Sequence, residues 1–165
     1  MTALTRPLAL ISLLLASALF GFFYAWVCST MWGLDAADPR VAIAAMQAMN
    51  ASVRNAVFAP AFFGTSIVCL ITTVVLMRSG QRAAAVWFGI STLLIAVLGV
   101  FLTMAVNVPM NEALALIEVP AEIEDAHKIW LAYSPEWQFW NQTRTIATGL
   151  AVLCIGIAFL KMERA

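Results

Sequence analysis

The chain has 165 residues, of which 63% are hydrophobic and only 11% charged, and its formal net charge is zero. A soluble domain averages about 45–50% apolar and about 25% charged residues, so a soluble globule of this size is excluded and the class is integral membrane protein. The balanced charge offers no basic footprint for nucleic acid. The single histidine, His127, leaves a zinc centre or a bis-histidine haem short of ligands. No metal or cofactor is therefore expected, and the lipid bilayer is the expected partner.

Four apolar runs set the organisation. A bilayer core of about 30 Å needs about 20 apolar residues at helical rise. The first run, Leu8 to Trp32, meets this. Arg6, a leucine-rich core and Ala16-Ser17-Ala18 also fit a signal peptide. Apolar residues continue unbroken through Phe20, Phe22, Phe23 and Trp26, which favours an uncleaved spanning helix. From Asp38 the sequence reads as a helix start, with Asp38 as N-cap and Pro39 at the first position. This helix runs to about Arg54. Val41, Ala42, Ala45, Met46, Met49 and Val53 form its apolar side, and Gln47, Asn50 and Arg54 form a polar stripe. Such a helix lies on the membrane or over the mouth of a bundle.

Asn55 and Pro60 bracket the start of the second spanning helix, expected over about 56–77. A short basic turn, Arg78-Ser79-Gly80-Gln81-Arg82, leads to the third, over about 83–106. That run is expected to stop at Asn107-Val108-Pro109-Met110-Asn111. Proline removes a backbone donor and biases the preceding residue away from helical geometry, and the amides of Asn107 and Asn111 could satisfy the freed carbonyls. Met110 to Ile117 then reads as a short helical turn. An acidic stretch from Glu118 to Asp125, broken at Pro120, leads into another short helix through Trp130. Tyr133-Ser134-Pro135 reads as a turn. The fourth helix begins near Pro135 and spans the membrane over about 140–160. Within it Trp137, Trp140, Asn141 and Arg144 fall at i, i+3, i+4 and i+7 and so share a face, which Thr148 continues.

The expected fold is therefore all-α: residues 1–165 form one integral membrane four-helix bundle with short extracytoplasmic loop helices. Arg6, Arg78, Arg82, Lys161 and Arg164 fall at one end of it in short segments. Arg40, Arg54, Lys128 and Arg144 fall at the other, diluted by acids. The distribution of basic residues puts both termini in the cytoplasm and the two long loops outside, in a multi-pass protein of the cell (inner) membrane. Cys28, Cys69 and Cys154 each lie in an apolar run and read as small packing hydrophobes rather than a disulfide framework.

The polar residues gather at the loop end. Arg144 has two readings. It could snorkel to headgroup phosphates, or it could turn inward to bind a carboxylate, phenolate or developing oxyanion, with Trp140 and Trp137 stacked nearby. In the second reading Arg144, Asn141 and Asn107 carry the chemistry. Trp140, Trp137, Asn111, Gln47 and Asn50 hold a hydrophobic aromatic small molecule. The bland alternatives are capping for Asn107 and Asn111, and an interfacial aromatic belt for Trp26, Trp32 and Trp130. Glu112, the only carboxylate beside the proline motif, reads as a solvated acid, or as a base if partly buried. His127 and its acidic neighbours read as a wet loop helix. No nucleophile triad, phosphate loop or HExxH spacing is present.

Gly21-Phe22-Phe23-Tyr24, Met46-Gln47-Ala48-Met49-Asn50, Asn107-Val108-Pro109-Met110-Asn111 and Trp140-Asn141-Gln142-Thr143-Arg144, in that order, resemble the anthrone oxygenase-like family of small integral membrane proteins. The Asn-x-Pro-x-Asn and Trp-Asn-x-x-Arg elements are the most specific parts. The resemblance implies a membrane bundle and, from fungal relatives, oxygenation of polyketide anthrones to anthraquinones without a recognised metal or flavin. Gln142 departs from the pattern, which often has a histidine after the Trp-Asn pair. If that histidine is the base in relatives, this chain lacks it. Three functions stay open: a cofactor-independent oxygenase, a non-catalytic binder of a quinone, lipid or other amphiphile, and a structural module.

Overall fold

The computed structural model describes residues 4–162, which form five helices and no strand. They are α1 (Thr5–Asp35), α2 (Pro39–Ser52), α3 (Phe58–Arg78), α4 (Arg82–Ala115) and α5 (Ile123–Lys161). All but α2 are long and apolar enough to cross a membrane. α1 packs on α3 and α5, and α4 packs on the same two, so the four long helices close an antiparallel ring. With 39 residues, α5 extends about 58 Å at helical rise. It therefore projects past any bilayer core, and there it packs with α2 and the ends of α1 and α4. Arg6, Arg78, Arg82 and Lys161 share the opposite end, while Arg164 lies outside the described residues.

The interior is built for lipid surroundings. Large aliphatics such as Leu14, Leu70, Leu93 and Leu153 point outward, while Ala9, Ala16, Ala84, Ala85, Ala151 and Ala158 line the helix contacts. Lipid is as apolar as leucine, so tight packing of small residues and interhelical hydrogen bonds hold such bundles together. The buried Ser12 and Thr72 hydroxyls meet at 2.9 Å between α1 and α3. Cys69 and Cys154 pack inside as expected, but Cys28 is exposed. α3 ends in a tight turn: Gly80 adopts φ 79°, Gly80 N–H donates to Met77 O and Gln81 N–H to Leu76 O. This double closure needs a residue free to enter the left-handed region, which glycine is.

Two expected boundaries are corrected. The third helix does not stop at Asn107-Val108-Pro109-Met110-Asn111 but continues to Ala115. Its ladder widens to π-helix over Leu94–Phe101 and Thr103–Asn107, and Val108 N–H donates to Thr103 O, five residues back. A wide turn directly before Pro109 accommodates the proline at the start of the next α-helical segment, where a missing donor costs little. The fourth helix does not begin near Pro135. The short helix expected through Trp130 and the spanning helix are one element, and Tyr133-Ser134-Pro135 lies within it. Side chains on both sides of the proline bind one carboxylate at the end of α1. Asp35 accepts from Trp130 Nε1 (2.9 Å), Ser134 Oγ (2.7 Å) and Gln138 Nε2 (2.8 Å). These bonds offset the lost backbone bond and override the local turn preference. Trp130 is therefore buried rather than part of an interfacial belt, whereas Trp32 is exposed.

α2 forms as its caps dictate. Asp38 Oδ1 accepts from Arg40 N–H at 2.9 Å and Pro39 opens the first turn. The Arg40 guanidinium, 2.6 Å from Oδ2, holds the Asp38 carboxyl below its ordinary pKa. Gln47 ties α2 to α4 by donating to Leu114 O (2.8 Å) and Ile117 O (2.9 Å), which satisfies carbonyls left over at the end of α4.

Candidate functional site

Arg144 turns into the bundle and its side chain is almost sealed, with 4% exposure. Nη1 donates to Thr103 Oγ1 at 3.0 Å and Nη2 to Asn141 Oδ1 at 2.9 Å. The guanidinium carbon lies 4.6 Å from the Phe23 ring centroid and 5.4 Å from that of Trp137, within cation–π range. Nε is buried with no partner. The ion pairs among the described residues are Arg40–Asp38, Arg54–Glu112 and Lys128–Asp125, so no carboxylate balances Arg144. A buried charge without a counter-ion carries a large desolvation penalty, which makes Arg144 a candidate functional residue.

Neighbouring helices hold this arginine through their irregularities. Asn141 Nδ2 donates to Phe23 O at 3.1 Å, which leaves Oδ1 to accept from Arg144. Phe23 lies just ahead of the π-helical segment Trp26–Thr30 of α1, where the ladder changes register and carbonyls become available. Thr103 accepts from Arg144 and donates its own hydrogen to Gly99 O at 2.6 Å within the widened part of α4. Two turns further along α4, Asn111 Oδ1 accepts from both Tyr133 Oη (2.7 Å) and Trp137 Nε1 (2.9 Å).

Arg144, Asn141, Thr103, Asn111 and Trp137 line the polar end of a cavity of about 600 Å³, with Tyr133 behind Asn111. The rest of its wall is aromatic: Phe22, Phe23 and Trp26 of α1, and Phe58, Phe62 and Phe63 of α3. Trp26 and Trp137 face each other at 5.1 Å, and Phe22 and Phe58 at 4.7 Å. Met49 and Asn50 of α2 and Val53 just past its end close the cavity from the loop end. Asn50 Nδ2 lies beside the Tyr133 hydroxyl but forms no well-aligned hydrogen bond. Arg54 and Glu112 also line the cavity, and their ion pair (3.2 Å) is exposed. A space of this size and lining suits a small, flat apolar molecule with a few polar atoms at one end.

The structure thus brings Arg144, Asn141, Trp137, Asn111 and Asn50 to one cavity. Asn107 stands behind the wall, fully buried; its Nδ2 reaches Trp137 O at 3.5 Å and its Oδ1 has no partner. Gln47 spends its amide on the α4 terminus. Trp140 leaves the expected shared face: it is half-buried, packs edge-on against Phe139 and does not line the cavity. His127 is exposed on α5. Thr103, Tyr133 and the α1 and α3 aromatics are site residues the sequence did not single out. Thr103, Asn107 and Asn111 recur at steps of four, a signal visible once the helix is continued through Pro109.

Residues 46–154 match the family model described as anthrone oxygenase. No curated protein and no solved structure matches the chain.

Proposed function

The chain belongs to the anthrone oxygenase family, and from that premise we propose that it binds a flat hydrophobic phenol or ketone as its anion at Arg144 and exposes it to dioxygen. The observation that carries this reading is the buried guanidinium with no counter-ion among the described residues, set in the wall of an aromatic cavity. An anionic ligand oxygen would supply the missing charge. For an anthrone the substrate methylene loses a proton to solvent water at the mouth of the cavity, beside the exposed Arg54–Glu112 pair, and its electron pair moves onto the ketone oxygen, which Arg144 stabilises. That stabilisation is stronger for the anion than for the neutral ketone, which is the condition for catalysis. The electron-rich anion then reduces dioxygen. Methylene and dioxygen yield a carbonyl and water: carbon gives up four electrons, dioxygen accepts four, and no external reductant enters. Asn141 and Thr103 hold the guanidinium, and Trp137 and Trp26 stack on the ring. Asn107, behind Trp137, supports the wall rather than the ligand.

A second reading is retention of an acidic amphiphile or quinone without turnover. It is favoured by Gln142, which stands where relatives often have histidine, and by the fact that Glu112, the one carboxylate lining the cavity, is exposed and paired with Arg54. In either reading the protein is multi-pass in the cell (inner) membrane, with cytoplasmic termini and the cavity at the outer leaflet. The basic residues in the short segments at the opposite end support this orientation.

Purified protein in detergent, given an anthrone and oxygen, should form anthraquinone faster than the Arg144→Gln variant does. Equal rates would sink the oxygenase reading. An acidic amphiphile retained by the wild type and absent from Arg144→Gln, seen by mass spectrometry, would support the second reading in its place.

A further inference from the structure

Asn111 has an unusual hydrogen-bond arrangement for a cavity residue. Its Oδ1 accepts two bonds from α5, Tyr133 Oη at 2.7 Å and Trp137 Nε1 at 2.9 Å. Both donors are held by packing, since Tyr133 and Trp137 are buried. An amide nitrogen cannot accept from either group, so the two bonds fix which way the amide faces. Its Nδ2 has no partner among the described residues and, unlike that of Asn50, is not among the sealed unpartnered atoms. The residue itself lines the cavity together with Arg144.

We propose that Asn111 Nδ2 is a second, pre-oriented donor that reads an acceptor oxygen flanking the anionic oxygen on Arg144, with Tyr133 and Trp137 as the positioning residues that aim it. This rests on the reading of Arg144 as an anion site, and it adds selectivity. The favoured ligand carries two neighbouring oxygens, one charged and one neutral. A ligand lacking the second oxygen leaves the amide unpaired. Sites built to hydrogen-bond an oxygen discriminate against analogues that lack it, because the unpaired group must still be desolvated.

The test compares anthrone with a peri-dihydroxyanthrone, titrated without oxygen into the full-length protein in detergent and followed by quenching of the cavity tryptophans. The wild type should favour the dihydroxy compound by about 10-fold, the most a neutral hydrogen bond of 1–1.5 kcal/mol supplies. Asn111→Ala and Asn111→Asp should bring the ratio to one or below, whatever either change does to the affinity for plain anthrone. Asn111→Asp keeps acceptors for Tyr133 and Trp137, so it separates lost donation from lost packing. Tyr133→Phe removes one of the two anchors and should give an intermediate ratio, restored in no variant that lacks the phenol. An unchanged ratio in Asn111→Asp or Tyr133→Phe overturns the proposal. The failure of the parent reading looks different: Arg144→Gln would then bind both compounds as the wild type does, whatever happens at Asn111.

Discussion

Replacing Arg144 by methionine removes a charge that no carboxylate among the described residues balances, while keeping much of its volume. Buried unpaired charges are costly, and apolar replacements of similar shape are often neutral or stabilising. The ligand-free variant should therefore melt at or above the wild-type temperature. Its affinity for an anionic aromatic should fall by roughly 10- to 150-fold, the worth of a hydrogen bond to a charged group of about 1.5–3 kcal/mol. A large drop in ligand-free Tm, with affinity retained, would instead mark Arg144 as structural. Lysine is no equivalent, because one ammonium cannot bridge Thr103 Oγ1 and Asn141 Oδ1 as the guanidinium fork does. At this scale the sequence singled out the arginine that the structure buries. It could not choose between headgroup and cavity, since both leave the same residue at the same depth.

The site depends on helices that are not regular. In α4 the widened turns over Leu94–Phe101 and Thr103–Asn107 set the rotation of everything beyond them. Deleting Ala105 should turn Asn111 by about 100°, one residue's helical rotation, and break its bonds to Tyr133 and Trp137. The expected outcome is a membrane-inserted protein of normal helical content by circular dichroism that has lost ligand binding. Retained binding would show that α4 can re-wind without affecting the cavity. α2 supplies a pH-dependent element. Arg40 lowers the folded pKa of Asp38 beneath its ordinary 3.8, so its contribution is complete above that value and fades as pH falls through the lowered one. The stability difference between wild type and Asp38→Asn should therefore be constant at neutral pH and shrink in strong acid, read as amide exchange in the first turn of α2. The proline in Asn107-Val108-Pro109-Met110-Asn111 signals a backbone disturbance correctly. The form of that disturbance, a widened ladder rather than a stop, depends on contacts with α5 that no local rule contains.

For the whole molecule, the antiparallel ring fixes which segments share an end, and a membrane then fixes the sides. In a cysteine-free background, a cysteine at Ala121 should react with an impermeant maleimide on intact cells. One at Ser79 should react only after permeabilisation. The reverse pattern would invert the proposed orientation and put the cavity in the inner leaflet. Trp137, Asn141, Arg144 and Thr148 are buried along α5, and Trp140 sits at the edge of that stripe, half-buried against Phe139.

Composition and hydropathy by themselves determined an all-α membrane bundle with four long helices, because lipid permits few other solutions for so apolar a chain. Cap chemistry determined the start of α2, because Asp38 and Pro39 act on their own first turn. The motifs determined the family, and with it the region in which to look for a site. Only the tertiary structure decided that α4 and α5 run through Pro109 and Pro135, since side chains distant in sequence, such as Asp35 bound to Trp130, Ser134 and Gln138, stabilise those helices. It also decided that Arg144 faces inward with no ion-pair partner among the described residues and that Tyr133 and Trp137 both donate to Asn111. These depend on which helix faces which, and that is settled by packing around the ring rather than by any one segment.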